Sequence, residues 1–132
     1  MLTLPIKRKW LDMILTGEKT EEYREVSDYY TTRFRKLTWL PYGRSNSTIE
    51  NMFREAAASG GFRYADVILQ NGYKWDAPAV LINGRLMIRE GKPEWGAEPG
   101  REYYVLTIEK LEVLCSPVPA KYKGGQSNGK DI

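Results

Sequence analysis

Histidine is absent from the 132 residues. That excludes Ser-His-Asp and Cys-His catalysis, imidazole metal ligation and the side chain that most readily moves protons near neutral pH. Acid–base or nucleophilic chemistry must fall to Lys, Asp, Glu, Tyr or Ser. Cysteine is limited to Cys115, so there is no internal disulfide and no thiolate set with zinc-ligand spacing, in keeping with a reducing compartment. No metal or cofactor is expected. Bulky apolar runs stop at three residues, as in Val67-Ile68-Leu69, Val80-Leu81-Ile82 and Leu86-Met87-Ile88, far short of the ~20 that cross a bilayer. The basic Lys7-Arg8-Lys9 follows the apolar Leu2–Ile6 stretch, the reverse of a secretory signal. The expectation is a cytoplasmic protein with no membrane partner.

What is present fits one folded domain. Hydrophobic residues make up 42% and charged residues 28%, unlike the aromatic-poor, highly charged profile of disorder. The net charge of +3 is unevenly placed, for residues 1–44 hold nine Lys/Arg against six Asp/Glu and the remainder holds eleven of each. That basic third also carries Trp10, Tyr23, Tyr29, Tyr30, Phe34, Trp39 and Tyr42. Basic and stacking groups together are what nucleic acids and nucleotides require. A solvated basic face over an aromatic core has the same composition, and both readings stay open.

Periodicity orders the elements. Leu2–Ile6 reads as a strand. Lys7–Thr16 reads as a helix with Leu11, Ile14 and Leu15 on one face, stopped by Gly17. Lys19–Glu25 is a polar strand or extended segment lining a wet surface. Ser27 caps a helix through Lys36, and Leu37–Leu40 reads as a further short strand. Ser47-Thr48-Ile49-Glu50 has the capping-box pattern and opens a helix carrying Ile49, Met52, Phe53, Ala56 and Ala57, ended by Ser59-Gly60-Gly61. Beyond it, Tyr64–Gln70, Ala79–Arg89 and Tyr103–Leu114 read as strands. Asn83-Gly84 fits either a tight hairpin or a bulge in one long bent strand; the long strand is preferred. The class is α+β, with a small closed or nearly closed barrel in residues 1–114. Residues 115–132, rich in Gly and Pro, form a flexible C-terminal tail.

Gly17-Glu18-Lys19-Thr20-Glu21-Glu22-Tyr23-Arg24 follows an opening strand, the Ile6-Lys7-Arg8-Lys9-Trp10 segment and an amphipathic helix. With this G-x-K-x-x-E-x-R pattern, and with Asn71-Gly72-Tyr73 and Trp95-Gly96-Ala97-Glu98-Pro99-Gly100 before Tyr103-Tyr104-Val105-Leu106, the chain resembles the ASCH domain family, in its bacterial and phage branch. The likeness covers most of residues 2–114. It implies a small PUA-like β-barrel with peripheral helices, and a cleft beside the motif that binds RNA or a modified nucleoside. The residues implied in binding are Lys7, Arg8, Trp10, Lys19, Glu22, Tyr23 and Arg24.

The same residues bear a physical reading. Glu22 and Arg24 share a strand face and can pair, either to aim the guanidinium at a phosphate or base edge or as a structural ion pair. Lys19 joins them only from a turn before the strand. A lysine partly desolvated beside a cation has a lowered pKa and can act as base or nucleophile. Some members of the family hydrolyse N(4)-acetylcytidine with the motif Lys and a Thr where this chain has Glu22, so as an enzyme the chain would use Lys19 and Glu22; others cleave RNA. An interaction module that binds no nucleic acid is the remaining alternative. Trp10 either stacks on a base or staples its helix to the barrel. Trp95 is expected to pack under the Pro99-Gly100 turn, and Arg85 and Arg89 to extend the positive surface or pair with Glu90, Glu102 or Glu109.

Overall fold

Two long strands, each bent near its middle, organise the molecule. The computed structural model describes residues 1–40 and 42–115. Strands β5 (Ala79–Asn83) and β6 (Arg85–Glu90) are separated by Gly84 alone, and β7 (Glu102–Thr107) and β8 (Lys110–Cys115) by Ile108 and Glu109. β5 pairs with β8 and β6 with β7, both antiparallel, so each long strand passes from one sheet into the other. Asn83-Gly84 is therefore a bend in a continuous strand and not a hairpin. A Cβ on Gly84 would lie 1.9 Å from the Thr107 carbonyl oxygen. The corner closes because residue 84 has no side chain. It is held by Arg85 N–H donating to Thr107 Oγ1 at 2.9 Å and Glu109 N–H donating to the Asn83 carbonyl at 2.9 Å.

The remaining strands complete two four-stranded sheets. β1 (Leu2–Pro5) runs parallel to β4 (Val67–Gln70) in the order β1-β4-β5-β8, and β2 (Glu21–Glu25) and β3 (Phe62–Arg63) flank the order β2-β7-β6-β3. The class is α+β, as expected. Among the described residues no ladder joins the outer strands into a closed barrel. Helices α1 (Arg8–Leu15), α2 (Asp28–Leu37) and α3 (Asn46–Ala56) bury Leu11 and Ile14, Phe34 and Leu37, and Ile49 and Phe53 respectively. No helix among the described residues is long and apolar enough to cross a membrane. The 116–132 part of the expected tail lies outside the described residues.

Three local expectations are corrected. Leu37–Leu40 is not a strand. Leu37 closes α2 and is buried, Trp39 takes φ 57°, and Leu40 N–H turns back to the Arg35 carbonyl at 3.3 Å. A short segment with three apolar residues does not by itself specify a strand, and here only Leu37 is buried while Trp39 is exposed. The cap of α3 is Ser45, whose Oγ accepts from Thr48 N–H at 3.1 Å, and Ser47 lies inside the helix. Glu50 closes no capping box because its carboxylate accepts from the Thr31 hydroxyl at 2.7 Å. Of the expected strand Tyr64–Gln70 only β4, from Val67, is extended in a sheet; the preceding β3 ends at Arg63 in the other sheet. Between them Tyr64 is buried, with its hydroxyl donating to the Thr107 carbonyl at 3.2 Å.

Candidate functional site

Alternation along β2 places Glu22 and Arg24 on one face and Glu21 and Tyr23 on the other. The first face continues the core, because Glu22 stands opposite Leu106 and Arg24 opposite Tyr104 in the ladder with β7. Charges in that position are costly unless paired and hydrogen-bonded. Glu22, 5% exposed, takes a cation on each oxygen: Lys19 Nζ at 3.0 Å from Oε1 and Arg24 Nη2 at 2.6 Å from Oε2. Both Arg24 Nη atoms also donate to the Pro5 carbonyl, at 3.0 and 2.9 Å. The Arg24 Nε is buried without a partner.

Lys19 precedes β2, where the turn after α1 frees it from the strand's alternation. Its backbone N–H donates to the Met13 carbonyl at 3.0 Å. The side chain, 1% exposed, places Nζ 4.8 Å from the Tyr23 ring centroid and 5.5 Å from that of Trp10. Nζ spends its hydrogens on Glu22, on the Glu21 carbonyl and on the Trp95 carbonyl at 3.3 Å. Burial lowers its pKa, an effect that Glu22 offsets only in part.

Against this cluster lies a cavity of about 490 Å³, walled by Pro5–Lys7, Trp10, Glu22–Arg24, Asn71, Trp95-Gly96 and Tyr103. Its size falls in the ~300–1,000 Å³ range of small-molecule sites. The 91–101 loop between β6 and β7 supplies the wall facing Trp10. It approaches closely because Gly96, at φ 103°, sets its missing Cβ only 3.0 Å from the Trp10 ring. Asn71 is held by its Nδ2 donating to the Ile6 carbonyl at 2.8 Å. Lys7, Lys19 and Arg24 stand against one carboxylate, Glu22, so the charge in and under the cavity is positive.

The other face of β2 is braced. Glu21 takes Arg89 Nη2 at 2.5 Å and the Tyr23 hydroxyl at 2.7 Å. Burial alone would raise the Glu21 pKa, but the hydrogen bonds from Arg89 and Tyr23 outweigh it and hold the carboxyl below its usual range. Burial pushes the Tyr23 phenol well above its ordinary value, and that hydroxyl accepts from Lys92 N–H at 3.0 Å. Tyr23 is thereby a fixed wall.

Of the residues expected at the site, Lys7, Trp10, Glu22, Tyr23 and Arg24 line the cavity and Lys19 lies beneath its wall. Arg8 does not line it; its Nε reaches Asp12 at 2.9 Å along α1. Trp95 is a wall of the cavity, with Lys92 over its ring at 4.6 Å. Arg85 pairs with Glu109 at 3.3 Å as one alternative had it, whereas Arg89 pairs with Glu21 and braces β2. Pro5, Ile6, Asn71, Trp95, Gly96 and Tyr103 line the cavity without having been expected at the site; Asn71, Trp95, Gly96 and Tyr103 were visible only within segments of the family likeness. Among the described residues no three His, Cys, Asp or Glu side chains gather as a metal-ligand set. Comparison with protein families, with curated proteins and with solved structures finds no significant match to this chain.

Proposed function

We propose that this chain is an ASCH-type domain on a PUA-like barrel, and that it binds RNA or a modified nucleoside by taking a base into the cavity beside Lys19, Glu22 and Arg24. The observation that carries the reading is one cavity in which indole and phenol rings stand beside a carboxylate whose two oxygens are each held by a cation. Aromatic walls accept the faces of a base. A carboxylate so flanked only accepts, so it reads an amino or imino N–H on the base edge. The positive surroundings, with Lys7 in the wall, favour a phosphate-bearing ligand.

In this reading Lys19 is a positioning residue. Its Nζ is saturated by three acceptors and shielded from the cavity, so it orients Glu22 and does not attack a substrate. The test is a titration with the four ribonucleosides and with single-stranded RNA, followed by tryptophan fluorescence and amide chemical shifts. Saturable changes at Trp10, Trp95 and Glu22 are expected, and Glu22→Gln should abolish them. Absence of any saturable change in the wild type overturns the proposal. N(4)-acetylcytidine should survive incubation with the protein; acetate release lost in Lys19→Ala would assign an amidohydrolase instead.

A further inference from the structure

The loop from Asn71 to Ala77, between β4 and β5, holds two of the most exposed aromatic side chains in the described structure, Tyr73 at 93% and Trp75 at 97%. They flank Lys74. An indole wholly in water contributes nothing to the fold, and two aromatic rings around a lysine on one short loop make a stacking platform with its own cation. The loop is secured at its base. Asn71 N–H donates to the Pro78 carbonyl at 2.8 Å, Gln70 Nε2 to the Gly72 carbonyl at 2.7 Å, and Ala77 N–H to the Lys74 carbonyl at 3.0 Å. Cys115 Sγ reaches the Asp76 carbonyl at 3.0 Å.

The platform adjoins the cavity, because Asn71 belongs to both. Trp75 is four residues further on, no more than ~14 Å away along the chain. A strand whose base enters the cavity therefore has its neighbouring nucleotides within reach of Tyr73 and Trp75, and the surplus positive charge at the cavity suits the phosphates between them.

Resting on the nucleobase-binding reading above, we infer that the ligand is a single-stranded polynucleotide and not a free nucleoside: one base occupies the cavity and a flanking base stacks on Trp75, with Tyr73 beside it and Lys74 on the backbone. The loop contributes affinity without sequence preference, since every base has a π face, while the cavity supplies the selection.

The test compares a fluorescein-labelled mixed-sequence RNA nonamer with the free ribonucleosides, using the full chain. The wild type should bind the nonamer more tightly than any nucleoside. Trp75→Ala should weaken nonamer binding by ~5–150-fold, leave nucleoside binding unchanged and keep the salt dependence. Trp75→Phe should restore most of the loss, and Lys74→Ala should reduce the magnitude of the salt slope by ~0.7. If a nucleoside binds but Trp75→Ala leaves nonamer affinity unaltered, the platform is overturned and the cavity reading stands. If neither probe binds, both fall. If Trp75→Ala instead dissociates an oligomer with no change in RNA affinity, the loop is a protein contact and the inference is overturned.

Discussion

Polar groups enter the interior in two neighbouring places, and the two are built differently. Around Glu22, three charged side chains meet beside an open cavity, and one donor, Arg24 Nε, is left without a partner. Around Tyr104, one strand across from Arg24, two hydroxyls meet under α2 and α3: Thr31 Oγ1 lies 2.5 Å from Tyr104 Oη and donates to Glu50 at 2.7 Å. Phe34 and Phe53 cover the Tyr104 ring, with centroids at 4.9 and 5.2 Å. The hydroxyl node buries Thr31 and Tyr104 and leads outward to the half-buried Glu50 carboxylate, joining helices to a sheet. The ionic cluster commits buried charge next to an open cavity, the arrangement on which the proposed binding site rests.

The largest effect should come from Glu22→Ala. It leaves Lys19 and Arg24 buried without their carboxylate and should cost ~3–5 kcal/mol in urea unfolding, together with all base binding. A loss below 1 kcal/mol would show that water reaches both cations.

Alkaline pH should act on Lys19 and on Tyr104 with opposite sign. Lys19 has a folded pKa below its unfolded 10.5. Between those values the unfolded chain holds the extra proton, so stability rises with pH there, and Lys19→Met should remove the rise. Tyr104 is pushed up to about 12 from 10.0, by burial first. Above pH ~10 the unfolded chain loses that proton first, so stability falls, by at most ~1.4 kcal/mol per pH unit for this group. Tyr104→Phe should lessen the fall, the rest of which belongs to the buried phenols of Tyr23 and Tyr64.

At neutral pH Tyr104→Phe should cost ~1–2 kcal/mol and leave ligand affinity untouched. A matching loss of binding would mean that the two clusters are coupled through the Arg24–Tyr104 ladder pair. The smallest effect on stability, within ~0.5 kcal/mol, belongs to Lys7→Ala. It should still weaken RNA binding and lower the magnitude of the salt slope by ~0.7.

Much of the fold was legible in the sequence. The α1 stripe, the Ser27 cap, the long strand bent at Gly84 and the shared face of Glu22 and Arg24 follow from spacing of 3.6 or 2 and from single capping or turn residues. The octapeptide coincides with the strand beside the cavity, and Lys19 stands in the turn before that strand. The place of Trp95 in the cavity wall was not legible, because its carbonyl meets Lys19 across 76 residues, through a loop whose path depends on Gly96 closing on Trp10. Arg89 was left to nearer carboxylates because its partner, Glu21, stands two strands away across the sheet. Glu50 left its capping box for Thr31, a tertiary bond that overrides a local one.

The sequence by itself determined which chemistry is unavailable, through its missing histidines and single cysteine, and which segments are helical or extended, because those preferences act between residues a few positions apart. Only the tertiary structure decided that Lys19 would be sealed beneath Glu22 and that distant loops would wall a cavity. Desolvation and charge pairing depend on what arrives from elsewhere in the chain.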